Sequence, residues 1–184
     1  MEKSKSLRKK LQVRLPHHEN KVDTDLPIDP YVLGCLLGDG TMTVTGRIGF
    51  STADECIVNK INESIDGVFK SKNGSDYDYL YTHGGKGSGN RQGKFGAELR
   101  QHIYEFGLFG KKSHEKFIPD QYLYDTSKSQ KIKLLQGLLD TDGYAANKTN
   151  SLYFTSTSEV LSNQVQYLVR SIGGTAKISS RNNS

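Results

Sequence analysis

A chain of 184 residues can bury a proper core, as one domain or as two small related halves. Its 25 Lys and Arg exceed its 20 Asp and Glu by five, a modest pull toward a polyanionic partner. Cys35 and Cys56 lie far apart with no Cys/His zinc spacing, and no apolar run approaches the ~20 residues of a bilayer span, which leaves out zinc-finger and transmembrane classes. The N-terminus also lacks the apolar core of a signal peptide, so the expectation is a reduced, soluble, cytoplasmic chain.

Residues 1–25 open with a basic run, Lys3, Lys5, Arg8, Lys9, Lys10 and Arg14, which reads as a solvated flank or as an arm suited to phosphates. Adjacent His17 and His18 cannot form a helical ligand pair. Pro27 and Pro30 then frame a helix start. Behind them comes Val32-Leu33-Gly34-Cys35-Leu36-Leu37-Gly38-Asp39-Gly40, an apolar helical stretch ending in Asp-Gly. Each glycine inside a helix costs ~1 kcal/mol relative to alanine, so Gly34 and Gly38 want a packing reason. Small residues four apart share one face and let another backbone approach closely.

Past Gly40 the period becomes two. Met42 and Val44 alternate with Thr41, Thr43 and Thr45, and a Thr45-Gly46 turn leads into Arg47-Ile48-Gly49-Phe50-Ser51. This predicts a hairpin with one greasy face. Its other face, with Thr41, Thr43, Thr45, Arg47 and Ser51, suits base edges and phosphates, although a merely solvated face has the same pattern. Thr52-x-x-Glu55 reads as a capping box, and Ile57, Val58, Ile61, Ile65, Val68 and Phe69 as one helical stripe. Tyr77, Tyr79 and Tyr81 alternate along a strand and are expected to pack against a helix, with stacking on or touching DNA as the alternative. The loop from His83 to Lys94 is rich in glycine and carries Lys86, Arg91 and Lys94; without GxxxxGK[ST] it is no Walker site. It reads as a basic tip following a nucleic-acid backbone, or as an ordinary loop. A helix over 97–106 stops at Gly107.

Lys116-Phe117-Ile118-Pro119 precedes a second notched helix, Leu135-Gln136-Gly137-Leu138-Leu139-Asp140-Thr141-Asp142-Gly143, where Gly137 and Thr141 are the small pair and Ile132, Leu135, Leu138 and Leu139 the apolar positions. The first half's order then returns. Leu152 and Phe154 are expected inward, Ser156-x-x-Glu159 repeats the capping box, and Leu161, Val165, Leu168, Val169 and Ile172 form a stripe. Gly173-Gly174 ends that helix and Ala176-Lys177-Ile178 starts a strand. The two Asp-Gly pairs lie 103 residues apart, and Phe50–Glu55 matches Phe154–Glu159 at 104, which marks an internal duplication. Packing the two notched helices together would bring Asp39 and Asp142 side by side. Helix C-termini and neighbouring carboxylates both disfavour that, and a hard divalent cation relieves both penalties.

Both stretches resemble the signature of the LAGLIDADG, or DOD-type, homing endonucleases. The second copy matches at nearly every position; the first has Leu37 where the signature has its first Asp, and its Leu-Gly-Asp-Gly form looks like intein-borne members. The resemblance runs from about Leu26 onward. It implies an α+β fold of two pseudo-symmetric αββαββα halves, 26–125 and 126–184, whose antiparallel sheets form a saddle over double-stranded DNA, with 1–25 as a flank. It implies that Asp39 and Asp142 are catalytic and hold Mg2+, and that Gly34, Gly38, Gly137 and Thr141 form the helix interface. Thr41, Thr43, Thr45, Arg47, Lys86, Arg91 and Lys94 would meet DNA. Lys116 matches the catalytic lysine of the Lys-x-Ile-Pro block of intein endonucleases. It follows Asp39 by 77 residues, and the same interval from Asp142 runs past Ser184. The second half is therefore expected to lack its last strand, helix and lysine, to expose apolar surface, and to need a missing C-terminal segment or an intein splicing domain. The implied activity is Mg-dependent, site-specific cleavage of both DNA strands. The alternatives are a nuclease-dead nucleic-acid binder, such as an RNA maturase or a DNA-binding regulator, and an inactive intein fragment.

Overall fold

The computed structural model describes residues 21–83, 98–146 and 151–180. Helix α1 (Pro30–Gly38) is set off by Asp29, whose carboxylate accepts the N–H of Tyr31 at 2.8 Å and of Val32 at 3.3 Å, with Pro30 in the first turn where its missing N–H costs nothing. Every residue from Pro30 to Leu37 is buried, as befits a helix apolar on all sides. There follow strands β1 (Gly40–Met42) and β2 (Ile48–Ser51), helix α2 (Glu55–Asn62), strands β3 (Val68–Ser71) and β4 (Asp78–Thr82), and helix α3 (Glu98–Glu105). A 3-10 turn at Ser113–Glu115 leads to α4 (Asp120–Tyr124), α5 (Lys128–Asp142), β5 (Gly143–Ala146), β6 (Ser151–Phe154) and α6 (Glu159–Ser171). The fold is α+β, with antiparallel sheets.

The first sheet has the order β1-β2-β4-β3. Alternation puts Met42, Ile48, Phe50, Phe69, Tyr79 and Tyr81 on its buried face, where the Phe69 ring lies 6.1 Å from Phe50 and 5.7 Å from Tyr81. Val58 and Ile61 of α2 and Leu99 and Ile103 of α3 join the same core. Here the expected burial of Tyr79 and Tyr81 holds, while Tyr77 sits outside β4 and is exposed. Val44 is also exposed, because β1 ends at Met42 and residues 43–46 form the turn.

The apolar stripe of α2 is shorter than its sequence suggests. The helix stops at Asn62, whose side chain accepts the Phe69 N–H at 2.7 Å and donates to the Phe69 carbonyl at 3.3 Å, so Val68 and Phe69 belong to β3. The caps also differ from expectation in both halves. Asp54 and Ser158 are the N-caps, and Thr52 and Ser156 instead accept the N–H of the residue two further on, at 3.1 Å in each case.

The β5–β6 hairpin pairs Gly143 with Phe154 and Ala145 with Leu152, as β1–β2 pairs Gly40 with Phe50 and Met42 with Ile48. Ile48 is fully buried, but Leu152 is 70% exposed, contrary to its expected inward place; Phe154 does pack on the core. Residues 175–180 form no strand, and the Ala176 carbonyl accepts from Gln166 and Arg170 of α6. Ahead of α1, Lys21 donates to the Tyr124 carbonyl at 2.6 Å, Asp23 bonds the hydroxyl of Ser127, and Gln130 donates to the Thr24 carbonyl at 2.6 Å. Residues 21–24 thus lie across the start of α5. No helix among the described residues is long and apolar enough to cross a membrane.

Candidate active site

α1 and α5 touch backbone to backbone. A Cβ on Gly34 would overlap the Leu134 carbonyl and lie 2.9 Å from the Leu138 nitrogen; one on Gly137 would overlap the Tyr31 carbonyl and lie 2.9 Å from the Cys35 nitrogen. One turn on, Gly38 faces Thr141, whose Cβ would be 2.6 Å from a Gly38 Cβ. The Thr141 hydroxyl turns back onto the carbonyls of Gly137 and Leu138, 3.0 Å from each, which keeps the notch closed without a polar orphan. The helix interface Gly34, Gly38, Gly137 and Thr141 is thus one continuous contact.

This crossing delivers the two acidic ends. Asp39 caps α1 and donates its N–H to the Cys35 carbonyl at 3.1 Å; Asp142 is the last residue of α5. The Asp142 carboxylate lies 3.3 Å from where a Gly38 Cβ would be, beside the residue that precedes Asp39. The glycines after them are not there for a left-handed turn: Gly143 has φ −90° and ψ 150°. A Cβ would lie 2.7 Å from the Leu36 Cα at Gly40 and 2.7 Å from the Leu139 Cα at Gly143. Only glycine lets each strand leave so close over the last turn of its own helix.

Lys116, 5% exposed, lies against the end of α1. Its ammonium donates to the carbonyls of Gly38 at 2.7 Å, Gly40 at 2.8 Å and Leu36 at 3.3 Å, so its three N–H groups meet three acceptors at the negative end of the helix. Burial pushes the Lys116 pKa down, opposed by the charges of Asp142 and Asp39. Burial pushes Asp39 up against the pull of Lys116. Asp142 is raised by burial and then by the charge of Asp39, again opposed by Lys116. Two half-buried carboxyls and one ammonium therefore form a single electrostatic cluster.

What fixes the backbone of Lys116 was barely legible in the residue pattern. The Ser158 hydroxyl, fully buried, donates to the Lys116 carbonyl at 2.7 Å, and the Gln164 amide accepts the Ile118 N–H at 2.7 Å and donates to the Ile118 carbonyl at 2.9 Å. The signal available was slight: a glutamine inside the apolar stripe of α6.

Of the residues expected to meet DNA, Thr41, Thr45 and Arg47 are exposed. Thr43 is half-buried, and its hydroxyl accepts the Arg47 N–H at 3.1 Å across the turn. Lys86, Arg91 and Lys94 lie outside the described residues. The second hairpin presents Tyr144 and Tyr153 at the positions of Thr41 and Gly49, 65% and 51% exposed, with ring centroids 6.1 Å apart.

Among the described residues no three His, Cys, Asp or Glu side chains gather as a metal cage. Two carboxylates are nonetheless a suitable donor set for Mg2+, which is commonly held by one or two carboxylates with water and substrate phosphate completing the shell.

Paired notched helices, two acidic ends and flanking antiparallel hairpins are the arrangement that the LAGLIDADG resemblance leads one to expect. Residues 129–184 match the family model described as LAGLIDADG-like domain. It is also similar to the replicative DNA helicase DnaB of Mycobacterium intracellulare, 28% identical over 167 residues. That match covers 88% of this chain, which spans 23% of the helicase's length.

Proposed function

We propose that this chain is a site-specific, Mg2+-dependent DNA endonuclease of the intein-borne type, which cuts both strands of a duplex. The observation that carries the reading is the crossing of α1 and α5, which sets Asp39 and Asp142 beside each other with the Lys116 ammonium in the same cluster. The chain lacks GxxxxGK[ST], so what it shares with the helicase is not a P-loop, and an endonuclease element inserted in a helicase gene accounts for a match to so small a part of that protein. Asp39 and Asp142 would hold Mg2+, which when bound activates water and stabilises the departing 3′ oxygen. The Lys116 ammonium offsets the two carboxylates, and its charge favours the negative charge that grows on phosphate. The exposed faces of both hairpins, through Thr41, Thr45 and Arg47 on one and Tyr144 and Tyr153 on the other, would lie along the DNA.

The test uses duplex DNA carrying the uninterrupted helicase coding sequence. With Mg2+ a double-strand break is expected at one position; chelation stops it, and Asp142→Asn lowers its rate by at least about a hundredfold, the scale of losing a group that stabilises transition-state charge. Tight binding with no cut, unchanged by Asp142→Asn, would instead identify a nuclease-dead binder.

A further inference from the structure

We infer that Ser158 and Gln164 of α6 are positioning residues that hold the Lys116 ammonium against the end of α1. The lysine belongs by sequence to the half that carries Asp39, yet the groups that grip its backbone belong to the half that carries Asp142. Residues 116–119 run extended into Pro119, with Lys116 at φ −66° and ψ 146°, and make no hydrogen-bonded ladder of their own. Such a segment is placed by its packing and by the partners its backbone groups find. Its anchors are the Ser158 hydroxyl on the Lys116 carbonyl and the two-pronged Gln164 amide on Ile118, three bonds between 2.7 and 2.9 Å.

Each anchor is itself fixed. Ser158 also accepts the Leu161 N–H at 3.1 Å as the N-cap of α6, and α6 is seated in the core by Leu161, Val165 and Leu168. Ile118 and Ser158 are both fully buried, so water does not replace these bonds cheaply. At the other end of the lysine the three carbonyl acceptors all come from the last turn of α1 and the first residue of β1. The side chain thus spans from a clamp in one half to a helix end in the other. Docking of α6 is what places the positive charge among the carboxylates. That is a consequence for the proposed nuclease, whose reading this inference presupposes only in its second measurement.

The test compares the full chain with Gln164→Met, which keeps the length of the side chain and the helix but loses both amide bonds, and with Ser158→Ala. Lysine acetylation by an N-hydroxysuccinimide ester is followed by mass spectrometry, with exposed Lys133 as the internal standard. Lys116 is expected to be protected in the parent chain and to label about tenfold faster in Gln164→Met, the population change that loss of two such bonds produces. Circular dichroism and thermal melting identify any variant that has lost α6 outright. If Lys116 labels no faster in a folded Gln164→Met, the clamp is overturned. The second measurement is cleavage: about a tenfold loss of rate with unchanged DNA affinity is expected. Faster labelling with an undiminished rate would sever the clamp from the chemistry. Faster labelling in a chain whose parent never cuts DNA would leave the clamp standing and remove the nuclease reading.

Discussion

Gly34 and Gly137 share a contact in which even a methyl group has no room, because the atoms in its way are main-chain atoms of the facing helix. Gly137→Ala is expected to cost about 3 kcal/mol, measured by urea denaturation, since overpacking against backbone cannot be relieved by a rotamer change. Gly38 is different, because its obstacle is the side chain of Thr141. Gly38→Ala should therefore be rescued in large part by Thr141→Gly, whereas no single change in a side chain rescues Gly137→Ala. The pairing of these small residues was legible in the sequence, because glycine in an apolar helix is costly enough to need a reason. The geometry of Asp-Gly was not, because the constraint on each glycine is the close passage of its strand over Leu36 or Leu139, which the dipeptide alone does not reveal. Nor was the setting of Lys116. The resemblance marks the residue, but three carbonyl acceptors from a segment 76 to 80 residues away are a matter of tertiary structure.

At the level of elements, Asp66 ties β4 to α3. Its carboxylate accepts the Tyr81 hydroxyl at 2.6 Å and the Glu98 N–H at 2.8 Å, with His83 3.3 Å away. Burial pushes its pKa up, but the bonds from Tyr81, Glu98 and Leu99 and the charge of His83 outweigh that and hold it below the usual carboxylate range. A carboxyl lowered by folding contributes stability that is fully present above its unfolded pKa of ~3.9 and is lost as pH falls through the folded value. Denaturation curves taken from about pH 5 down to about pH 2 should show this loss, and Asp66→Asn should flatten that limb. Helix positions and strand alternation were legible from periodicity, as the burial of Tyr79, Tyr81, Leu161, Val165 and Leu168 shows. The caps were not. Thr52 and Ser156 fit the capping-box spacing as well as Asp54 and Ser158 fit the cap itself, and only the hydrogen bonds decide between them.

Over the whole molecule the two hairpins share a register and differ in surroundings. Ile48→Ser should cost about 3 kcal/mol, because it truncates a side chain with no exposure and buries a hydroxyl there. Leu152→Ser, at the matching place in the second hairpin, should change stability by less than about 0.5 kcal/mol, since the side chain is already mostly in water. The same substitution should reduce self-association in sedimentation experiments, because Leu152 is an exposed apolar group on a short hairpin. The internal repeat revealed in the sequence that these two positions correspond, but pattern matching carries no information on whether anything covers them.

The unlike outer surfaces of those hairpins have a directional consequence. One offers a threonine beside a glycine, the other a pair of tyrosine rings. Under the proposed reading, a duplex lying on both would be held one way round, since turning it end for end would set each half-site against the wrong surface. Upstream and downstream flanks of the proposed break would thereby acquire fixed identities, and a palindrome made from either flank alone would satisfy only one side of the protein.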